Sequence, residues 1–335
     1  MKSVFKLSKS RVFEQLSLVR GFSDEVSYSV KSNLEVAEVL QGECFFSVHS
    51  FQNLEKIKEK NKVWYFLQGN NGEQIKDLVQ KGVRSFVVDN RNDLRILLDN
   101  LDVEINLLLR MKLKEHTLHT GKHFVFGFSS KETNELLSKL KENNKINKLG
   151  IHFHRKTQNV SEWNLKEELE DSIKDWSLID YGNIGGGIPV EYKNFRKEVI
   201  ENIFSRIKEL RGFLNAKDIK MIIEPGRFIA GPSIRLETEV VNVYDGNVVL
   251  NCSVYNSAMD TFVNNIRLLV KGEKEQGYRY VLKGCSPDSV DIFRYSVFLD
   301  KELKVGDRIV FLNAGAYNFN SNYFNLEKVE TVLVE

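Results

Sequence analysis

Short apolar runs alternate with amphipathic stretches from residue 26 to about residue 230. Each apolar run is typical of a buried strand, and the stretch that follows it has helical periodicity. Strands and helices that alternate in this way, joined by short loops, predict a parallel sheet. About eight such units favour a closed (β/α)8 barrel of the α/β class over an open doubly wound sheet. The predicted strands include Cys44–Val48, Val63–Leu67, Ser85–Val88, Ile105–Arg110, Leu149–His154, Leu178–Asn183 and Met221–Glu224.

The amphipathic stretches between these runs predict helices. In the longest of them the apolar residues Ile203, Ile207 and Leu210 recur on one helical face. A further β-like run, followed by a helical pattern, begins near residue 4. The predicted helices include Leu34–Leu40, Asn53–Lys60, Glu73–Lys81, Asn92–Leu98 and Glu201–Leu210.

The pattern changes after residue 233, where apolar and polar residues alternate as in half-buried strands. Asp245 and Gly246 lie between two such stretches, Arg235–Tyr244 and Asn247–Val254, and predict a hairpin turn. Helical periods are scarce in this region. The predicted domains are an N-terminal segment (1–25) that joins the β domain, a barrel (26–232) and an all-β domain (233–335).

Composition and charge exclude several classes of protein. Hydrophobic residues make up 42% and charged residues 28% of the 335 residues, which is enough to bury a core. Lys and Arg number 48 against 46 Asp and Glu, so neither a nucleic-acid nor a membrane-surface footprint is expected. No apolar run is long enough to span a membrane, and charge interrupts the N-terminal segment too early for a secretory signal.

The cysteines, Cys44, Cys252 and Cys285, are odd in number and far apart in sequence. None belongs to a Cys-x-x-Cys pair, so neither a disulfide framework nor a metal site is expected, and a reducing cytoplasm is favoured. The stretch 111–124 is rich in Lys and His and predicts a mobile loop.

A lysine lies at the end of the first predicted barrel strand, in the segment Tyr28-Ser-Val-Lys31-Ser-Asn33. If Lys31 is buried there, loss of hydration disfavours its charged form, and a neutral amine can form a Schiff base with a carbonyl cofactor. The alternative is a surface lysine beside a turn. The hexapeptide alone leaves both open.

Five motifs in a fixed order are more specific than the lysine alone. They are Tyr28-Ser-Val-Lys31-Ser-Asn33, Gly150-Ile-His-Phe-His154, Asn183-Ile-Gly185-Gly-Gly187, Glu224-Pro-Gly-Arg227 and Gly315-Ala-Tyr317. With them the sequence resembles, from about residue 4 to residue 327, the decarboxylases of basic amino acids that depend on pyridoxal phosphate. That family includes the ornithine, arginine, lysine and diaminopimelate decarboxylases. The resemblance implies an alanine-racemase-like barrel, a β domain and pyridoxal 5'-phosphate as cofactor.

The resemblance also implies roles around the cofactor ring. Lys31 would hold the cofactor covalently, and Glu224 would face the pyridine nitrogen and keep it protonated, so that the ring accepts electrons. His154 would stack on the ring, whereas His152, two residues earlier in a strand, would point to the opposite face. Arg110 would lie near the cofactor. The simpler alternatives are a turn glutamate, a core histidine and a surface arginine.

A further set of residues is implied for the cofactor's phosphate. Glycines let backbone N–H groups approach a phosphate closely, and an arginine adds a fork of charged donors. A lone glycine triplet more often marks a turn. The residues implied are Thr157, Gly185, Gly186, Gly187, Gly226, Arg227 and Tyr317.

The segment from Gly284 to Asp291 stands where the family has a loop that reads the substrate and comes from the second subunit of a homodimer. Asp288 would pair with the distal cation of a diamino acid, and Asp291 would support the loop. Cys285 and Asn256 are further candidates for substrate binding. The alternative for this segment is a turn rich in aspartate.

Three positions depart from the family's pattern. Pro287 stands in place of a catalytic cysteine, and Cys285 lies two residues upstream, so Lys31 or a water could instead protonate the substrate's Cα. The segment Arg155-Lys156-Thr157-Gln158 replaces the usual Gly-Ser after the stacking histidine. Asn256 replaces a second amine-binding aspartate of the ornithine-type enzymes.

Three functions are compatible with the sequence. The first is a decarboxylase that converts a basic amino acid or polyamine precursor into an amine and CO2, as a homodimer with shared active sites. The second is a racemase or epimerase, which needs a second base; the tyrosine before the racemase signature is not matched. The third is a non-catalytic regulator, which Pro287 favours but which the joint presence of Lys31, His154, Glu224 and Arg227 disfavours.

Overall fold

The computed structural model describes residues 2–113, 126–195 and 199–335, and the chain divides into two compact units. The barrel unit comprises residues 16–189 and 199–226. The β unit comprises the described residues of 1–15, 190–198 and 227–335. The loop predicted over residues 111–124 lies almost entirely outside the described residues.

Eight parallel strands close into a barrel in the barrel unit, which confirms the predicted fold class. Neighbouring strands pair in chain order, and the last pairs with the first. Apolar side chains such as Trp64, Phe66, Leu108 and Ile222 fill the interior, so the barrel is packed. In chain order the strands are β1 (Val4–Ser8), which belongs to the β unit, and the barrel strands β2 (Glu25–Ser29), β3 (Phe45–Val48), β4 (Val63–Phe66), β5 (Ser85–Val88), β6 (Ile105–Arg110), β7 (Ile146–His152), β8 (Tyr181–Asn183) and β9 (Lys220–Ile223).

Helices alternate with these strands, and side-chain caps define where several of them begin. Asn71 and Ser129 each form a reciprocal capping box with the residue three positions later. The helix after Ser129 was not predicted, although it buries Leu137 and Leu140 on one face. The helices are α1 (Lys9–Arg20), α2 (Leu34–Val39), α3 (Phe51–Glu55), α4 (Gly72–Gln80), α5 (Arg91–Asp99), α6 (Ser130–Lys141), α7 (Leu165–Ser172) and α8 (Ile200–Asn215).

A mixed sheet forms most of the β unit. The remaining elements are α9 (Gly226–Ser233), β10 (Ile234–Tyr244), β11 (Asn247–Leu250), α10 (Val254–Ser257), α11 (Asp260–Val263), β12 (Leu269–Val270), β13 (Tyr278–Lys283), β14 (Ile292–Leu299), β15 (Arg308–Leu312) and β16 (Glu330–Val334). The strands of the sheet follow the order β12-β15-β10-β11-β13-β14, and β1 pairs with both β10 and β16.

The predicted hairpin between β10 and β11 is confirmed. Asp245 and Gly246 have φ angles of +47° and +75°, as a tight turn between antiparallel strands requires. Strand β11 ends at Leu250 and does not reach Val254 as predicted, because Ser253 caps α10 with its side chain. Within the described residues, no helix combines the length and hydrophobicity needed to span a bilayer.

Candidate active site

The carboxylate of Glu224 lies directly after β9 and is buried, with 7% of the residue's surface exposed. Its Oε1 atom accepts hydrogen bonds from Ser47 Oγ (2.8 Å) and Asn183 Nδ2 (2.9 Å). Its Oε2 atom lies 3.3 Å from Nε2 of His152. Because these donors come from β3, β8 and β7, the closed barrel brings three strands to one carboxylate at their carboxyl ends.

These neighbours keep Glu224 ionised. Burial alone would raise the pKa of Glu224, but the hydrogen bonds from His152 and Ser47 help to hold it below its ordinary value. Because the Ser47 hydroxyl proton points to Glu224, Ser47 in turn accepts a hydrogen bond from Ser27 over 2.8 Å. Sequence reasoning found Glu224 through its motif but missed Ser47, which stands in an apolar strand.

The glycine triplet after β8 packs directly against the glutamate backbone. Oδ1 of Asn183 accepts a hydrogen bond from the N–H of Gly185 (2.9 Å), whose carbonyl accepts one from the N–H of Glu224 (2.8 Å). Gly185 and Gly187 have φ angles of +66° and +94°, which side chains disfavour. A β-carbon on Gly186 would lie 2.6 Å from the carbonyl oxygen of Glu224. Only glycines therefore fit this turn.

His154 follows β7 and is fixed beside the triplet. Its Nδ1 atom accepts a hydrogen bond from the N–H of Gly186 (3.1 Å), so the neutral ring carries its proton on Nε2. Loss of hydration lowers the pKa of His154 to about 3, and the positive charges of Lys31 and Arg110 act in the same direction. Its stacking on a cofactor ring stays a prediction.

Two further histidines, His152 and His49, lie at the same end of the barrel. The expectation that His152 and His154 point to opposite faces is wrong, because residues two apart along a strand lie on the same face; both rings sense the charge of Glu224. His49, which sequence reasoning missed, stacks on Phe66 with ring centroids 4.4 Å apart, and Phe66 meets His152 at 5.1 Å.

Two positively charged side chains, Lys31 and Arg110, lie at this end of the barrel. Lys31 follows β2 in a single turn of 3₁₀ helix. Of the two environments that the sequence left open, the structure has the exposed one, because the turn directs the two neighbours of Lys31 into the core. Arg110 ends β6 and is half-buried, and the charge of either residue lowers the pKa of His154. Gly226 permits the turn that carries Lys31, since a β-carbon there would lie 2.0 Å from Ser32 Oγ.

The loop after β7 accommodates the departure from the family's Gly-Ser pattern. Arg155 is buried, with 2% of its surface exposed, and forms an ion pair with Glu168. The carbonyl oxygen of Lys156 would lie only 2.8 Å from a β-carbon on Gly187. Thr157 is half-buried in this loop. An internal ion pair therefore holds the loop while it packs against the glycine triplet.

In the β unit, Arg227 and Tyr317 are in contact. The guanidinium carbon of Arg227 lies 5.1 Å from the centroid of the Tyr317 ring. Arg227 is buried, forms an ion pair with Asp260 and donates from Nη1 to Tyr192 Oη over 3.3 Å. Sequence reasoning missed Asp260, which balances much of the charge of Arg227.

The predicted substrate-reading loop is ordered by its own carboxylates. Asp288 accepts hydrogen bonds from Tyr255 Oη (2.6 Å) and the N–H of Val290 (3.0 Å), and these bonds lower the pKa of Asp288. Asp291 is buried and accepts a hydrogen bond from Ser253 Oγ (2.8 Å), so it supports the loop as predicted. Tyr255 was not singled out from the sequence.

The other two substrate-binding candidates have different environments. Asn256 is buried; its Oδ1 accepts from the N–H of Ser253 (2.9 Å) and its Nδ2 donates to the carbonyl of Glu327 (2.8 Å). Cys285 is exposed, and its N–H donates to the carbonyl of Cys252 (3.0 Å). All three cysteines are free thiols. No metal-binding group of three or more His, Cys, Asp or Glu side chains occurs in the described parts of the chain.

Comparisons with known proteins agree with this geometry. The family model described as pyridoxal-dependent decarboxylase, pyridoxal binding domain, matches residues 11–231, more than half of the chain. A 2-[(L-alanin-3-ylcarbamoyl)methyl]-2-hydroxybutanedioate decarboxylase of Staphylococcus aureus is 25% identical over 89% of this chain and 84% of its own length. A lysine/ornithine decarboxylase of Selenomonas ruminantium is 23% identical over 87% and 78%.

A solved structure shares the fold. The crystal structure of lysine/ornithine decarboxylase from Vibrio vulnificus, complexed with putrescine, matches with a TM-score of 0.82. The match covers 99% of this chain and 94% of that chain at 21% identity. At this identity the likeness is one of fold.

Proposed function

Because this chain belongs to the family of pyridoxal-dependent decarboxylases, we propose that it removes CO2 from a basic amino acid or a related polyamine precursor. The observation that carries this proposal is the common position of Lys31 and Glu224. Lys31 supplies an accessible amine, and Glu224 supplies a buried, ionised carboxylate at the same end of the barrel. Both groups act on the same two histidines, His49 and His154: the charge of Lys31 lowers their pKa, and the charge of Glu224 raises it.

The residues at this end of the barrel fit pyridoxal 5'-phosphate. Lys31 would hold the cofactor covalently, and Glu224 would hold a proton on its ring nitrogen. The turn around Gly186 leaves no room for a β-carbon and so keeps the backbone bare where a phosphate could approach. When bound, this cofactor supplies the electron sink that stabilises the charge left by the departing CO2. His154 would present a neutral ring to it.

Other assignments at the cofactor rest on the resemblance of the motifs. The charge of Arg110 acts on His154 at this end of the barrel, and Thr157 lies in the loop that packs on the glycines. Arg227 and Tyr317 would contribute to the phosphate, with Asp260 orienting the guanidinium. These roles are testable by the cofactor affinity of single variants.

A cationic far end of the substrate is supported by Asp288. Its carboxylate is ionised and held by Tyr255 and a backbone N–H, so it presents a fixed negative charge. Such a group selects an ammonium or guanidinium over an apolar terminus. Ornithine, lysine, arginine, diaminopimelate and carboxylated polyamines all meet this requirement. Asn256 already uses both ends of its amide within the protein, and this observation disfavours a direct part in selection.

One experiment tests the central proposal. Titration with pyridoxal phosphate should produce the visible absorbance of lysine-bound cofactor, and borohydride reduction should fix the cofactor on Lys31, as peptide mass spectrometry detects. CO2 release from carboxyl-labelled diamino acids measures the reaction. Lys31→Arg keeps the charge but cannot form the bond and should lose both signals, whereas Lys76→Arg, on the exposed face of α4, should keep both. Full activity of Lys31→Arg would refute the proposal.

We also propose a homodimer in which the loop of Asp288 completes the site of the partner copy. Mixing inactive Lys31→Ala chains with inactive Asp288→Asn chains should then restore up to about a quarter of the activity, because one site in each mixed dimer carries neither substitution. Activity that stays absent after subunit exchange contradicts this arrangement.

Three free thiols in the chain support a reducing compartment such as the cytoplasm.

A regulator without catalysis is the second candidate, favoured by Pro287 in place of the family's catalytic cysteine. Cofactor titration separates the two functions. A regulator need not bind pyridoxal phosphate, whereas the decarboxylase must.

A further inference from the structure

The two carboxylate oxygens of Glu224 have different numbers of hydrogen-bonding neighbours. Oε1 accepts from both Ser47 and Asn183, which uses its two lone-pair directions. Oε2 has His152 as its neighbour, at 3.3 Å. A ligand N–H that bonds to this carboxylate must therefore approach Oε2, the oxygen that His152 also contacts.

A second hydrogen bond fixes which atom of the Asn183 amide faces Oε1 of Glu224. The N–H of Gly185 donates to its Oδ1, so its amide nitrogen must be the atom that faces Glu224. Ser27 likewise donates to Ser47, which leaves the Ser47 proton for Oε1. The amide of Asn183 cannot turn over without breaking its hydrogen bond with Gly185.

His152 faces Oε2 as a neutral donor. Its ring is buried, with 1% of its surface exposed, and loss of hydration lowers its pKa although the charge and hydrogen bond of Glu224 act in the opposite direction. A neutral ring that donates from Nε2 carries no proton on Nδ1. That Nδ1 atom is buried and has no hydrogen-bond partner among the residues that the structure describes. An unsatisfied buried acceptor is costly, so a purely structural histidine would be a poor choice at this position.

We propose that His152 is a positioning residue that orients Oε2 of Glu224 toward the ring nitrogen of the cofactor. The inference rests on the proposed function, because it presupposes that Glu224 meets a protonated heterocycle. His152 donates a neutral hydrogen bond, so it fixes the oxygen without cancelling the negative charge that keeps the ring nitrogen protonated. Phe66, edge-on to His152 at 5.1 Å, restricts the rotation of the imidazole.

Two matched substitutions separate the donor from the ring. The amide nitrogen of His152→Gln takes the place of Nε2 and can still reach Glu224, whereas that of His152→Asn takes the place of Nδ1 and cannot. The ligands are pyridoxal phosphate and its deaza analogue, in which a carbon replaces the ring nitrogen. Equilibrium dialysis measures the affinity of each protein for each ligand, with no need for turnover.

We expect His152→Asn to bind pyridoxal phosphate about tenfold more weakly than the wild type, the loss of roughly one charge-assisted hydrogen bond, with unchanged affinity for the deaza analogue. His152→Gln should stay close to the wild type with both ligands. The ratio of the two affinities is measured within one protein, so a partial loss of folding cancels. If His152→Asn does not fold at all, His152→Leu serves for the same ratio.

The two proposals fail in different ways. A wild type that binds neither ligand refutes the proposed function and this inference with it. A wild type that binds pyridoxal phosphate, with equal weakening of both ligands in His152→Asn, shows a merely structural histidine. An unchanged ratio in every variant likewise overturns the positioning role but leaves the decarboxylase intact.

Discussion

The backbone N–H of Gly186 donates a hydrogen bond to Nδ1 of His154 over 3.1 Å. Protonation of Nδ1 would break this bond, and the resulting cation would lie near Lys31 and Arg110. The folded chain therefore holds His154 neutral, and loss of hydration together with these charges lowers its pKa to about 3. In the unfolded chain the pKa of His154 has its ordinary value of 6.5.

This difference predicts acid destabilisation that His154→Asn should reduce. Between pH 6.5 and about 3 the unfolded wild-type chain binds a proton that the folded chain does not, so stability falls as the pH falls. An asparagine oxygen can replace Nδ1 as the acceptor but does not titrate. We expect the stability loss over this range to be smaller by ~1 kcal/mol in the variant, because the ring is only half-buried. Urea denaturation across this range measures it, and parallel curves for both proteins would contradict the prediction.

A second prediction concerns Gly186, where a β-carbon would lie 2.6 Å from the carbonyl oxygen of Glu224. Gly186→Ala must push the backbone of the triplet away and should destabilise the protein by about 1–3 kcal/mol. Gly212 in the middle of α8 is the control, since a β-carbon there meets nothing within 4 Å. Gly212→Ala should stabilise the helix by ~0.5–1 kcal/mol. Thermal denaturation compares them, and equal effects at the two positions would show that the close approach is relieved cheaply.

The barrel and much of its active end could be predicted from the sequence. Each strand is one apolar run, and the carboxyl ends of parallel strands meet at one end of a barrel, so motifs that follow the runs must come together. Lys31, His154, Gly186 and Glu224 all lie at or just after the ends of such runs. The prediction needed the order of the elements but not their register.

What could not be predicted depends on register and on single turns. Ser47 and Asn183 reach Glu224 only because strands far apart in sequence close around it. Lys31 is exposed because a 3₁₀ turn, which no residue type marks, follows β2. Asp260 meets Arg227 from 33 residues away, in a region without any periodic signal.

A third prediction concerns the buried ion pair of Arg227 and Asp260. Asp260→Asn leaves the charge of Arg227 without this counter-ion and should cost about 3–5 kcal/mol. Replacement of both residues, by Arg227→Met with Asp260→Leu, should cost much less because no buried charge remains. Glu209→Gln breaks the exposed pair with Arg206 and should cost under ~1 kcal/mol. Urea denaturation of all four proteins tests the pair; a double variant as unstable as Asp260→Asn would mean that packing, not charge, dominates.

The last prediction concerns Tyr255, whose hydroxyl donates to Oδ2 of Asp288 over 2.6 Å. Tyr255→Phe keeps the ring, which packs against Tyr323 with centroids 4.7 Å apart, but removes the hydrogen bond that holds the carboxylate and lowers its pKa. If Asp288 binds the distal cation of the substrate, KM for a diamino acid should rise about fivefold with kcat nearly unchanged, because the carboxylate is no longer held in position to bind that cation.

The control for Tyr255→Phe is Tyr244→Phe, at the exposed end of β10, which should change neither constant. Steady-state rates with a diamino acid and with a substrate of equal length but neutral terminus separate the effects. The KM of the neutral substrate should not respond, since it makes no use of the carboxylate. A rise in KM for both substrates would instead mean that the substitution disturbs the loop as a whole, and a fall in kcat alone would place Asp288 outside substrate selection.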